Sequence, residues 1–101
     1  MKHQMAPVIA TRELMWKLSD GTETPVTINL GRPLPHEDID WYCTFQIVGL
    51  GDETVRAMYG VDGFQAIQSA VKIIDVFLAT SPAGKSKQIC WTDGTEFEFN
   101  A

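Results

Sequence analysis

From residue 8 onward, hydrophobic and polar positions alternate with a period of two. In "VIATRELMWKL" (8–18) Ala10, Leu14, Trp16 and Leu18 fall on one face of an extended strand, with Thr11, Glu13 and Lys17 on the other. That spacing fits a half-buried strand better than a helix. Asp20-Gly21 follows, a pair that readily takes the positive φ of a tight turn, and "VTINL" (26–30) alternates again, which predicts a β-hairpin. "WYCTFQIVG" (41–49) directs Trp41, Cys43, Phe45 and Ile47 inward and Tyr42, Thr44, Gln46 and Val48 outward. After the glycine-rich "GLGDET", "VRAMY" (55–59) is a fourth strand.

The period then changes. In "YGVDGFQAIQSAVKIIDVFLAT" (59–80) the residues Phe64, Ile67, Ala70, Val71, Ile74, Phe77 and Leu78 recur at spacings of three and four. Gln65, Gln68, Ser69, Lys72 and Asp75 fill the other side. This predicts one long amphipathic helix over 62–80. Asp62 precedes it with Gln65 three residues later, so the carboxylate can accept from first-turn amides while the amide side chain reaches back. Pro82 cannot continue the helix, and Gly84 suits its exit. The tail "QICWTDGTEFEFN" predicts a hairpin around Asp93-Gly94 with Phe97 and Phe99 inward.

"GRPLPHEDID" (31–40) interrupts the alternation with two prolines, which lack amide donors, and three acids, and it is expected to be an exposed loop. The order is therefore ββββαββ. Strands joined by short turns pair antiparallel, and one helix covers one face of the sheet. The expectation is a single α+β domain over 1–101, with residues 1–7 frayed, in which an antiparallel sheet of about six strands packs on one long helix. The opposite sheet face is left open.

Composition narrows the function classes. With 101 residues the chain is long enough to fold without disulfides or a structural metal. A formal net charge of -5 disfavours a nucleic-acid backbone as partner, since that binding needs clustered Lys and Arg. Lys85 and Lys87 in "GKSKQ" read as a solvated turn. The apolar run near the N-terminus is too short for a signal-peptide core or a bilayer span, so a cytoplasmic protein without membrane contact is expected. Cys43 and Cys90 stand inside apolar strands facing inward; whether they are close enough to pair is left open.

Candidate chemistry is sparse. His36, Glu37, Asp38 and Asp40 could approach a hard cation, but their spacing matches neither a calcium loop nor a zinc motif. Both cysteines alternate with aromatics, and no G-x-S-x-G turn exists, so nucleophilic catalysis has no candidate. "VGLGDET" joins two strands instead of opening a helix and is a poor phosphate loop. No catalytic, cofactor or metal residue is assigned. Trp16, Trp41 and Trp91 are expected in the core. On the open sheet face Met15, Tyr42, Val48 and Met58, with Ile9 beside them, form a candidate interface.

The W-x-C strand at Trp41, the "GVDGFQAI" helix start at 60–67 and the final "ICW" together resemble a family of small uncharacterised bacterial proteins. The resemblance spans about residues 8–100 and implies a one-domain α+β fold, with no activity or site to carry over. Two functions are weighed. The first is a non-enzymatic interaction module, immunity-like or inhibitory, that binds itself as a homodimer or another protein through the open sheet face. The second is a small-molecule-binding or enzymatic domain with a pocket between helix and sheet, where Arg12, Tyr59 and Gln65 would converge.

Overall fold

A computed structural model of the chain describes residues 3–38 and 40–98. The long β1 (Val8–Lys17) pairs antiparallel with β2 (Glu23–Gly31) through almost all its length. β2 continues into β3 (Leu34–Pro35), and both pair with β4 (Trp41–Val48). β5 (Arg56–Gly60) pairs with β4, and β6 (Ile89–Trp91) pairs with β1. The helix α1 (Gly63–Thr80) and the short α2 (Pro82–Lys85) separate β5 from β6. The result is the expected α+β arrangement of an antiparallel six-stranded sheet and one long helix. No helix among the described residues is long and apolar enough to cross a membrane.

Two elements lie where a loop was expected. Leu34 pairs with Tyr42 and Pro35 with Trp41, one register step away from the Leu30 and Phe45 pairing of β2. A two-residue strand at a break in the ladder tolerates a residue without an N–H, so the prolines did not exclude it. Pro82 opens α2 directly after Ser81, whose hydroxyl accepts from the Gly84 amide at 3.1 Å. A Cβ at Gly84 would collide with the Leu78 carbonyl, so this tight helix-to-helix corner needs glycine for space. In the tail, Cys90 and Glu96 make only an isolated bridge, and Phe99 lies outside the described residues.

Asp62 is the N-cap: its carboxylate accepts from the Gln65 amide at 2.8 Å, and the Gln65 side-chain oxygen accepts from the Val61 amide at 2.7 Å. The helix is rolled relative to its expected apolar face. Its buried positions are Ala66, Ala70, Ile74, Asp75 and Leu78, whereas Phe64 is 80% exposed and Val71 is exposed. The cause is close packing against β5, where a Cβ on Gly60 would come within 2.5 Å of the Ala66 nitrogen. Small residues at 60, 66 and 70 draw that side of the helix down and lift Phe64 off the sheet.

The core joins Leu14, Val26, Ile28, Cys43 and Phe45 of the sheet to Ala70, Ile74 and Leu78 of the helix. Trp16 and Trp41 pack against it, but Trp91 is 39% exposed and stands edge-on to Phe97. Residues 3–7 were expected to fray, yet Ala6 is buried on the outer face, where its amide donates to Thr44 Oγ1 at 3.1 Å, and the Arg32 amide donates to the Pro7 carbonyl. Thr44, read as outward and open, is 1% exposed beneath this segment. Met1 and Lys2 lie outside the described residues.

Candidate functional site

Strand register sorts the candidate residues. In directly opposed antiparallel pairs both side chains point to the same face. Met58 pairs with Cys43, so it faces the helix and packs on the core. This corrects its expected place on the open face: the turn before β5 sets its phase, and that register is not visible in five residues. Met15 and Val48 do lie on the outer face, opposite Pro25 and Thr27. Tyr42 also lies there, but it is six residues along β4 from Val48, about 20 Å at strand rise. The outer-face apolar residues therefore do not assemble into one patch, and Ile9 sits at a bulge between Val8 and Ala10.

Tyr59 pairs with Tyr42 on the outer face and is 45% exposed, so it does not enter a pocket beneath the helix. Their ring centroids lie 6.0 Å apart, and His36 stands edge-on to both, at 6.2 Å from Tyr42 and 5.8 Å from Tyr59. Gln65 does not line the cleft that Arg12 borders; its side chain is engaged in the helix cap. Of the three expected pocket residues, only Arg12 reaches a cleft between helix and sheet.

That cleft has a volume of about 170 Å³ and is bounded by Ala10, Arg12, Ile28 and Leu30 of the sheet and by Val71, Ile74 and Asp75 of the helix. It exists because α1 lies over β4 and β5, leaving the inner face of β1 and β2 partly uncovered. Its walls are largely apolar. Asp75 is only 8% exposed, and its carboxylate makes no hydrogen bond or ion pair among the described residues. It is not sealed away either, because none of the fully buried side-chain oxygens lacks a partner. The carboxylate therefore retains some contact with solvent.

Arg12 does not neutralise it. Its guanidinium carbon stands 5.3 Å from the Trp91 ring centroid and 5.5 Å from that of Phe97, toward the β6 side of β1. Such contacts favour a cation by about 0.5–1 kcal/mol at exposed sites. Asp75 was read as belonging to the solvated side of the helix. The missed signal is its spacing, four residues after Val71 and three before Leu78, which places it within an apolar stripe once the helix rolls.

Both cysteines are buried free thiols. Cys43 Sγ donates to the Gly31 carbonyl at 3.3 Å, and burial raises its pKa, holding it as a thiol. Cys90 is also buried, but its pairing with Met15 puts it on the outer face, which corrects its inward assignment. Three strand steps separate the two, about 14 Å, beyond the reach of a disulfide. In the acidic loop the His36 amide donates to the Asp40 carbonyl at 2.7 Å, and no group of three or more potential metal-binding side chains forms among the described residues.

Fold and geometry define a small α+β protein with an acid-bearing cleft. The chain belongs to a family described as a domain of unknown function (DUF6968), matched over residues 10–101. No curated protein and no solved structure matches it.

Proposed function

We propose that this protein is a non-enzymatic binding module whose recognition site is the cleft between α1 and the β1–β2 half of the sheet. The occupant brings a cationic group to Asp75 on an otherwise apolar body. The observation that carries this reading is the largely buried Asp75, whose carboxylate has no partner among the described residues, in an apolar cleft. A cation that enters the cleft gains a charge pairing that Asp75 lacks among the described residues. Among the described residues the one hydroxyl in the lining, that of Thr11, donates to Asn29 Oδ1 and has no general base beside it, which favours binding over catalysis. The open-face reading has weaker support, since Met58 is internal and Tyr42 stands far from Val48.

An apolar cavity of about 150 Å³ accepts a benzene-sized molecule, so 3-methylbutylammonium suits this cleft. Titration followed by amide NMR is expected to shift residues 10–12, 28–30 and 71–75 saturably, and 3-methylbutyrate is expected not to. Asp75→Asn should abolish the response. An undiminished response in Asp75→Asn, or shifts confined to the outer face, would refute the assignment.

A further inference from the structure

β1 borders the cleft with an edge left partly unpaired among the described residues. β6 covers only Leu14–Trp16 of β1, although β1 begins at Val8. The Lys17 amide donates to the Gln88 carbonyl at 2.9 Å, so odd-numbered residues of β1 turn their N–H and C=O toward the β6 side. Carried along the strand, this alternation leaves the backbone groups of Thr11 and Glu13 directed at an edge where no strand lies among the described residues. Such an edge is a template for strand addition.

We infer that a second copy of this chain adds to this edge, β1 against β1 in antiparallel register about a two-fold axis at Thr11, so that each Arg12 is delivered to the cleft of the other copy and meets its Asp75. The inference rests on the reading of the cleft as a recognition site and names its occupant. Register selects the axis. Centred on Arg12, the pairing would oppose two guanidinium groups; centred on Glu13, it would oppose two carboxylates and run into β6. Centred on Ala10, it would set the bulged Val8–Ala10 segments of both copies together at the axis, whereas at Thr11 they lie at the ends of the pairing.

At Thr11 the polar groups of both copies already face outward, and Arg12 falls opposite Ala10 of the second copy. Ala10 lines the same cleft as Asp75. Arg12 also leans to the correct side, over Trp91 and Phe97, and thus toward the incoming strand. The bulge bends each chain where continued pairing would strike β6 of the other. Two-fold symmetry makes the contact isologous, with two Arg12–Asp75 pairs per dimer.

Sedimentation equilibrium and hydrogen exchange of the full chain test this. The expected result is a reversible monomer–dimer equilibrium in which the Thr11 amide exchanges more slowly as concentration rises. Thr11→Pro removes an edge N–H that β2 does not use, and Asp75→Asn removes the negative charge that the guanidinium would meet; each should weaken dimerisation at least about tenfold. If Thr11→Pro disturbs the fold, concentration-dependent exchange in the unaltered chain still decides. Fast exchange at Thr11 at every concentration overturns the inference. So does a dimer insensitive to both variants but weakened by Val48→Asp, which would place the contact on the outer face. A strict monomer that still takes 3-methylbutylammonium at Asp75 overturns the dimer and leaves the cleft reading standing.

Discussion

Asp20, Asp52 and Asp93 each stand two residues before a threonine and fold the intervening turn around their own carboxylate. At Asp93 the Thr95 hydroxyl donates at 2.7 Å and the Thr95 amide at 2.9 Å; at Asp52 the Thr54 groups donate at 2.6 and 3.0 Å. These bonds to the charged form, the hydroxyl first, hold all three carboxyls below the ordinary aspartate value. A depressed folded pKa contributes stability that is present above the unfolded value and is lost as pH falls through the folded one. Each contribution is small because these groups are fully exposed. Thr95→Val keeps the amide donor but removes the hydroxyl, so a carboxyl-carbon NMR titration should show the Asp93 midpoint rising toward normal. A midpoint unmoved by the substitution would remove the hydroxyl as its cause.

Among the elements, α1 shows how a local signal and a distant one differ in legibility. Asp62 and Gln65 are three residues apart and complete their cap without help from the rest of the chain, so the helix start could be read directly. Asp62→Ala should cost about 1 kcal/mol in a denaturant melt, because the Gln65 amide loses its acceptor at the exposed helix end. Coincident melts would mean that the cap contributes nothing. The roll of the same helix could not be read, because it depends on Gly60 meeting Ala66 across a turn and on Ala70 settling into the core. Large apolar residues defined an expected face containing Phe64 and Val71, whereas small residues determined which side could approach. Asp75 was lost from view for that reason, and with it the feature that gives the cleft its chemistry. The alternation in β4 was legible; the phase of β5, set by a seven-residue connection rich in glycine and acids, was not.

Across the whole molecule, the two faces of the sheet are covered by different means. The inner face carries α1 over β4 and β5 and the Phe97 segment near β6, with the cleft between them. The outer face is crossed by residues 3–7, which a pattern-based reading assigns to a frayed end because they contain no periodic run. Their anchor is a polar group: buried Thr44 Oγ1 accepts from the buried Ala6 amide, while Gly31 leaves room for both side chains. Thr44→Val preserves the shape but leaves the Ala6 N–H without an acceptor, a loss of about 1–3 kcal/mol if the segment stays in place. Release of the segment into water limits that loss, so about 1–2 kcal/mol is expected, or several degrees in melting temperature for a domain of this size. Residues 3–7 should then become sensitive to proteolysis while the exchange protection of α1 remains. Parent-like stability together with an intact segment would show that the Thr44 bond does not hold it, and that the packing of Ala6 and Met5 against Gly31 suffices.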